Sequence, residues 1–137
     1  MAKRPVRIVI DTNLFISFLI NKDFSKLDKI IIEGHTRLVL SVELLEEIFA
    51  VIKRPKFKSI ITEGDIETLL LFFNKFGELV PVPSQLNESR DEKDNFLLNL
   101  AIDGKATHLL TGDGDLLELK KIGNTKIMKL KDFLSTF

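Results

Sequence analysis

The chain contains no cysteine, no tryptophan and no tyrosine, and only two histidines among its 137 residues. Without cysteine it can form neither a disulfide framework nor a thiolate zinc site, which is typical of proteins from a reducing, intracellular compartment. His35 and His108 do not have the spacing of a ligand pair, so zinc bound by histidines is not expected. Without Trp or Tyr, the sequence gives little indication of a base-stacking platform.

The chain also lacks an excess of charge of either sign. Twenty Lys and Arg residues balance 20 Asp and Glu residues, so any binding to nucleic acid must use local patches. Asp11 and Asn13 interrupt the apolar run near the start of the chain, which argues against a signal peptide or a membrane span. We therefore expect a soluble, cytoplasmic protein with no membrane association. The length and the 45% hydrophobic content predict a single domain over residues 1–137.

Short apolar runs alternate with amphipathic segments along the whole chain. Runs rich in β-branched residues and leucine predict buried strands, and apolar residues at helical spacing between cap residues and glycines predict helices. Such strands are too apolar to face water, so we predict a three-layer α/β/α fold with a central, mainly parallel sheet. The predicted strands are 6–10, 36–40, 78–82, 107–110 and 126–130, and the predicted helices are 14–20, 25–33, 42–53, 62–77, 91–103, 116–121 and a last turn at 131–137, with 84–90 as a loop.

Acidic residues lie near the carboxyl ends of the predicted strands. Asp11 follows the first strand, and Asp113 and Asp115 follow the fourth. Glu47 lies less than two turns into the helix after the second strand, and Asp94 lies in the first turn of the fifth helix. Because the carboxyl ends of parallel strands share one edge of a sheet, we expect these carboxylates to gather there.

A cluster of carboxylates at one edge indicates a bound cation. Without a cation or considerable solvent, the group could not stay ionised at neutral pH. Mg²⁺ or Mn²⁺ suits such a site, because these ions prefer oxygen ligands and need neither Cys nor His. A carboxylate-bound metal lowers the pKa of a bound water and neutralises charge on a departing oxygen, so the predicted chemistry is phosphodiester hydrolysis with one or two ions.

Two of these assignments leave alternatives open. Glu43 and Glu46 neighbour Glu47 and could replace it, although Glu47 is preferred, and either Asp113 or Asp115 could supply the last ligand. Each acid taken alone also fits a structural role, as a helix cap, a turn residue or a solvated helical side chain. The prediction therefore depends on the joint pattern.

Four sequence motifs resemble, in order, those of the PIN-domain family. They are Ile-Asp-Thr-Asn-Leu-Phe at 10–15, Glu-Leu-Leu-Glu-Glu-Ile at 43–48, Asp-Glu-Lys-Asp-Asn-Phe-Leu-Leu-Asn-Leu-Ala at 91–101 and Leu-Thr-Gly-Asp-Gly-Asp-Leu at 110–116. The resemblance covers essentially the whole chain, and within the superfamily the chain is most similar to toxin components of toxin–antitoxin systems, including the VapC-type ribonucleases.

The resemblance implies a PIN-like, Rossmann-like fold, RNA cleavage, a divalent metal, a small antitoxin partner and often a homodimer. Carried over by position, it makes the catalytic and metal-binding acids Asp11, Glu47, Asp94 and the Asp113/Asp115 pair. It also implies that Asn13 and Thr111 support these acids. This is therefore the function that we expect, with RNA as the substrate.

Basic residues after the Glu47 helix are candidates for binding the phosphates of RNA. Arg54, Lys56 and Lys58 form this group, and solvated surface cations are the alternative interpretation. A second basic stretch, from Lys120 to Lys131, is consistent either with RNA binding or with an ordinary surface.

Other functions fit the residues less well. A phosphatase with a nucleophilic Asp11 would want a second aspartate where the chain has Asn13, and the acidic pair and late lysine of a receiver domain are not evident. The non-enzymatic alternative is an inert PIN-like module that binds RNA or a partner protein. An RNA-processing or quality-control nuclease without an antitoxin would have the same site.

Overall fold

A six-stranded sheet forms the centre of the molecule. In the computed structural model, which describes residues 6–33, 35–83 and 92–136, the strand order is β3-β2-β1-β4-β6-β5. Every neighbouring pair is parallel except β5 and β6. The mainly parallel sheet confirms the predicted fold class. The strands are β1 (Val6–Ile10), β2 (Thr36–Leu40), β3 (Gly77–Leu79), β4 (His108–Leu110), β5 (Lys121–Ile122) and β6 (Thr125–Met128).

Helices connect the parallel strands and cover the sheet. Crossovers between parallel strands are right-handed. The helices that connect strands on one side of β1 therefore cover one face of the sheet, and those that connect strands on the other side cover the opposite face. Phe15 and Phe73 join the first and fourth helices through an edge-to-face ring contact at 5.3 Å. The helices are α1 (Thr12–Asn21), α2 (Phe24–Asp28), α3 (Val42–Ile52), α4 (Glu63–Phe76), α5 (Glu92–Asp103), α6 (Gly114–Leu119) and α7 (Leu130–Leu134).

The cap residues expected from the sequence begin two of these helices. The Ser41 hydroxyl accepts a hydrogen bond from the Leu44 N–H at 3.1 Å, and Thr62 forms a reciprocal capping box with Asp65. Each bond satisfies a backbone donor that a helix N-terminus leaves free. The first of them fixes the start of α3 at the carboxyl end of β2.

Two predicted helices differ from the structure. The helix predicted at 25–33 changes at Lys29 from α2 into a π-helical turn, Lys29–Glu33. The helix predicted at 116–121 begins at Gly114 and ends at Leu119, where the positive φ of Lys120 terminates it. Lys121 belongs instead to the short antiparallel strand β5, because Gly123, with a φ of 54°, permits a tight turn into β6. The predicted loop 84–90, Asp91 and Gly34 lie outside the described residues.

Close packing between α5 and the sheet depends on one glycine. Gly104 ends α5, and a Cβ placed there would lie 2.4 Å from Val39 Cγ1 and 2.9 Å from the Leu100 carbonyl oxygen. Its own carbonyl accepts a hydrogen bond from Arg7 Nε at 2.9 Å. Only a residue without a side chain fits between these groups, so the start of β1 and the end of α5 are held together at the amino edge.

Within residues 6–33, 35–83 and 92–136, none of the helices is both long enough and apolar enough to cross a bilayer.

Candidate active site

The candidate site lies at the carboxyl edge of the sheet, where β2, β1 and β4 end side by side. β2 and β3 lie on one side of β1, and β4, β6 and β5 lie on the other, so the direction of strand addition reverses between β1 and β4. Open α/β sheets bind ligands at such a reversal, because the connecting segments part there. Asp11 directly follows β1 and Thr111 directly follows β4, so both residues lie at this point.

Asp11 is buried and held in one orientation. Only 6% of its surface is exposed. Its Oδ1 accepts a hydrogen bond from the Leu14 N–H at 2.8 Å, which makes Asp11 the N-cap of α1. Its Oδ2 accepts a hydrogen bond from the Thr111 hydroxyl, and its own N–H donates to the Leu110 carbonyl at 3.1 Å. The carboxylate is therefore positioned by both strands of the reversal.

Burial raises the pKa of Asp11 above its ordinary value. The nearby charge of Asp113 adds to the rise, whereas hydrogen bonds from Thr111, Leu14 and Gly112 oppose it without cancelling it. A cation in the same place would have the opposite effect, because an opposite charge favours the ionised form of a carboxyl group. The site thus holds a carboxylate whose environment favours a positive ion.

Thr111 connects Asp11 to the second acid of the site. Its hydroxyl donates to Asp11 and accepts a hydrogen bond from the Asp113 N–H at 3.0 Å. The backbone of Thr111 is itself fixed, since its N–H donates to the Met128 carbonyl of β6 at 3.0 Å. Asp113 in turn caps α6, with Oδ1 accepting from the Asp115 N–H at 2.8 Å. Both acids therefore serve as helix caps and still border the same opening.

That opening is a cleft of about 330 Å³ at the carboxyl edge. Two acids, an amide and a hydroxyl supply its polar groups, and all of them carry oxygen donors. The cleft is lined by Asp11, Asn13, Leu14, Ser17, Gly112 and Asp113. The structure therefore brings together two of the predicted acids and the supporting residue Asn13, with Thr111 bonded to both acids.

The three glutamates of α3 occupy different faces of that helix. Glu43 lines a second, smaller cleft of about 120 Å³ together with Ser41 and Asn99. Glu47 lies one turn further along the same side of α3 and is half-buried. Glu46 is exposed on the other side, beside Lys53. Glu43 and Glu47 thus share one side of α3, that of the smaller cleft beside Asn99, and Glu46 lies on another side.

The other two predicted acids are Asp94 and Asp115, and only the side chain of Asp115 lies in the described part of the chain. Asp94 lies in the first turn of α5, the helix whose Asn99 borders the cleft of Glu43, but its side chain lies outside the described part of the chain. Asp115 is exposed in the first turn of α6 and does not line the cleft of Asp11. In the described part of the chain, no three acids lie close enough together to hold a metal ion.

The basic residues predicted to bind phosphate follow the far end of α3. Because α3 starts at the carboxyl edge and its 11 residues rise about 1.5 Å each, Arg54 lies roughly 16 Å along the helix from that edge. Lys56 and Lys58 follow it in and after a short 3₁₀ turn. By contrast, Lys129 directly follows β6, whose Met128 pairs with Leu110 of β4. Lys129 is exposed and lies beside the site.

The residues of the cleft fit a hard divalent cation. Asp11 and Asp113 offer carboxylate oxygens, Asn13 an amide oxygen and Ser17 a hydroxyl, which is the donor chemistry that Mg²⁺ and Mn²⁺ prefer. A carboxylate offers about four lone-pair sites, so the hydrogen bonds that Asp11 accepts from Leu14, Thr111 and Gly112 leave room for a cation. Zinc would instead favour the cysteine and histidine ligands that the cleft lacks.

Sequence reasoning missed two residues that the structure places at the site. Ser17 lines the cleft of Asp11, and its spacing of one helical turn from Asn13 was the available signal. Asn99 is buried beside Ser41 and Glu43. A buried asparagine at a position where the helical pattern expects an apolar residue was the signal there.

Comparison with known proteins assigns the chain to a family. A family model of the PIN domain matches residues 7–115, which is most of the chain and includes Asp11, Thr111 and Asp113. The chain belongs to the PIN domain family. PIN domains are nuclease folds that typically use divalent metal ions, although some of them are inactive. The predicted resemblance is confirmed.

Relatives of this PIN domain include one protein from an archaeon. An uncharacterized protein of Methanocaldococcus jannaschii is 33% identical over 148 residues, and the alignment covers 100% of this chain and 95% of the relative.

Two solved structures share the fold of this PIN domain. VapBC2 of Rickettsia felis, bound to a DNA fragment from their promoter, has a TM-score of 0.55 at 17% identity, covering 89% of this chain and 97% of that one. The PIN domain of human SMG5 has a TM-score of 0.52 at 11% identity, covering 95% of this chain and 97% of that one. At these identities the likeness shows the fold alone.

Proposed function

We propose that this PIN domain is a metal-dependent endoribonuclease that hydrolyses RNA phosphodiester bonds. The observation that carries the proposal is the buried carboxylate of Asp11, hydrogen-bonded through both oxygens and facing an open cleft that it shares with Asp113. A residue that only caps a helix needs no second acid beside it. The pKa of Asp11 is raised, which means that its surroundings disfavour the ionised carboxylate in the absence of a cation. Perturbed acids in a cleft are typical of functional sites.

Asp11 and Asp113 would hold the Mg²⁺ or Mn²⁺, with Glu47 and Asp94 as the further acids of the proposed set. When bound, the ion would supply charge for the phosphate and make a water molecule more acidic. Asp113 is preferred over Asp115 as the last acid, because Asp113 lines the cleft and Asp115 does not. Glu47 is preferred over Glu46, which lies on another side of α3.

The chain's own residues would orient these groups. Thr111 holds the Oδ2 of Asp11 and the backbone of Asp113 with one hydroxyl, so the spacing of the two acids is set by a single side chain. Asn13 and Ser17, on the rim of the cleft, can bind the oxygens of a phosphate or of the attacking water. A fixed arrangement of this kind lowers the reorganisation that hydrolysis would otherwise require.

Contacts with the rest of the RNA would come from exposed cations. Lys129, which directly follows β6, would bind a phosphate close to the cleaved bond. Arg54, Lys56 and Lys58 are roughly 16 Å away along α3, as judged from helix rise, so they would bind phosphates further along the strand. Such contacts raise affinity without reading the base sequence.

The experiment is cleavage of labelled single-stranded RNA with Mg²⁺ or Mn²⁺, then with EDTA, beside Asp11→Asn. We expect cleavage that EDTA abolishes and that Asp11→Asn lacks. Glu46→Gln is the matched control, since it removes a carboxylate from another side of α3. Cleavage that survives both EDTA and Asp11→Asn would refute the proposal, and no cleavage of any RNA would favour an inert module.

The biological role that we propose is the toxin component of a toxin–antitoxin pair acting on RNA in the cytoplasm. Supporting it are the motifs of the sequence and a fold shared with VapBC2 of Rickettsia felis. Co-expression with the product of a small adjacent reading frame tests it: the pair should purify together and cleavage should fall. A nuclease that works without such a partner, in RNA processing or quality control, is the outcome if no adjacent product binds.

A further inference from the structure

A cavity of about 600 Å³ opens at the amino edge of the sheet, at the other end of the strands from Asp11. Arg7 near the start of β1, Thr107 directly before β4 and the turn between β5 and β6 surround it. Its volume is in the range of small-molecule sites, about 300–1,000 Å³. We call it the amino-edge cavity, and its lining shares no residue with that of the cleft at Asp11.

The guanidinium group of Arg7 is held in one position on the wall of this cavity. Its Nε donates to the Gly104 carbonyl at 2.9 Å, and its Nη1 donates to Glu78 Oε2 at 2.6 Å. A guanidinium has five N–H donors, so those that are not bonded to Gly104 or Glu78 can bind a ligand. The flat, forked group matches the oxygens of a phosphate, and its fixed orientation lowers the entropy that binding costs.

Lys105 supplies a second cation from an unusual backbone position. It follows α5 with a φ of 53°, a conformation that residues with a side chain rarely adopt. Its N–H closes the end of the helix by donating to the Ile102 carbonyl at 3.1 Å, and the N–H of Ala106 donates to the Ala101 carbonyl at 2.8 Å. The side chain is exposed, lines the cavity and forms no ion pair with any residue that the structure describes. Its charge is therefore available to a ligand.

The amino-edge cavity carries an excess of positive charge. Within the described residues, none that lines it is acidic. Glu78 neutralises Arg7 without lining the cavity, which leaves the second cation in excess. The free carbonyl oxygens at the end of a helix disfavour an anion, but those of Ala101 and Ile102 already accept backbone N–H groups, and that of Gly104 accepts Arg7. The cavity therefore suits an anion.

The rest of the lining suits a ligand that is partly apolar and partly polar. Ala101, Ile102 and Ala106 offer aliphatic side chains from α5 and the segment that follows it. Asn124, in the turn between β5 and β6, offers an amide that can both donate and accept hydrogen bonds. Thr125 ties this turn to the opposite wall, because its hydroxyl donates to the Ala106 carbonyl at 2.7 Å.

We propose that the amino-edge cavity binds a nucleoside monophosphate. The phosphate contacts Arg7 and Lys105, the base lies against the aliphatic wall, and the polar edge of the base or the sugar bonds to the Asn124 amide. Inorganic phosphate would leave the aliphatic wall unused, and a fatty acid would leave the amide without a partner. The proposal goes beyond the proposed function and does not depend on it, because the cavity needs neither a metal nor the predicted acids.

The test is titration with each of the four nucleoside monophosphates of RNA in EDTA, followed by calorimetry and by the NMR shifts of backbone amides. At least one of them should bind with a dissociation constant of roughly 1 mM or below, and its shifts should appear at Lys105, Gly123 and Asn124. The matching nucleoside and inorganic phosphate should each bind at least about tenfold more weakly, since each makes only part of the contacts. No binding of any of the four, equal binding of inorganic phosphate, or shifts at Gly112 and Asp113 instead would overturn the proposal.

Lys105→Gly separates binding from folding. Glycine adopts a positive φ readily, so this variant should keep the melting temperature of wild type while its affinity for the nucleotide falls about tenfold, as expected for one lost contact to a charged group. Lys120→Gly is the matched control, because Lys120 is also an exposed lysine at a helix end, with a φ of 63°, and does not line the cavity. Equal affinities of the two variants would contradict the proposed site.

Discussion

Replacing Asp11 by asparagine and by alanine separates the tasks of this side chain in folding and in metal binding. Asparagine caps helices about as well as aspartate, so Asp11→Asn keeps the hydrogen bond from the Leu14 N–H. Alanine loses that cap, worth about 1 kcal/mol. Both replacements deprive the Thr111 hydroxyl of its acceptor, because asparagine uses its one oxygen for the Leu14 N–H and presents an NH2 group to Thr111. We expect Asp11→Ala to be about 1 kcal/mol less stable than Asp11→Asn.

The comparison of Asp11→Asn with wild type depends on pH. The pKa of Asp11 is raised above 3.8 in the folded protein, so the folded state holds this proton more tightly than the unfolded chain does. The resulting stabilisation is present below the unfolded pKa and is lost as pH rises through the folded pKa. Asparagine has no proton to lose. In EDTA, the free energy of unfolding of Asp11→Asn minus that of wild type should therefore increase as the pH rises from the unfolded pKa to the folded pKa of Asp11. Above the folded pKa the difference should stay constant.

The assay is urea unfolding of wild type, Asp11→Asn and Asp11→Ala at acidic and neutral pH, with EDTA and with Mg²⁺. Metal should stabilise wild type by about 2.7 kcal/mol at about 100 times its dissociation constant, and Asp11→Asn by clearly less. A stability difference between Asp11→Asn and wild type that does not change with pH in EDTA would contradict the argument.

Three further variants test the site and the packing around it. Glu47→Gln should lower RNA cleavage by more than about 100-fold, because even groups that only support a metal ligand contribute about 10–100-fold. If Glu47→Gln cleaves RNA as well as wild type and Glu43→Gln does not, Glu43 is the acid of the site. Asp113→Asn should keep the α6 cap and the melting temperature but lose cleavage, whereas Asp115→Asn should retain most of it, and the reverse order in kinetic assays would make Asp115 the last acid. Gly104→Ala should lower the free energy of unfolding by about 2 kcal/mol, because its Cβ would overlap β2 and the α5 backbone; an unchanged midpoint in urea would show that the two elements can separate at little cost.

The sequence predicted the elements that have strong periodicity or clear end signals. β1 and β2 were predicted with the bounds that the structure has, and Ser41 and Thr62 cap the helices expected after them. β5 could not be predicted, because two residues carry too little pattern to distinguish a strand from the end of a helix. It forms through the turn at Gly123, which depends on pairing with β6.

The candidate site was predicted in part, for reasons that follow from the topology. Asp11 and Asp113 could be placed together, because both directly follow strands of one parallel sheet. Choosing among the glutamates of α3 required knowing how the helix is oriented relative to the site. Periodicity alone shows only which side of a helix faces the core. Arg54, Lys56 and Lys58 follow Glu47 closely in the sequence, but a helix carries them away from the edge where the acids gather.

The strand order also determines when the site can form during synthesis. β1 is translated first, yet it lies between β2 and β4, and the hydrogen bond from Thr111 to Asp11 joins residues that are 100 positions apart. Contacts of such long range form late in folding. A nascent chain that has not reached Asp113 lacks the partner that completes the cleft, however well its first half has folded. If the chain has the proposed activity on RNA, that activity would begin only after Asp113 has been translated.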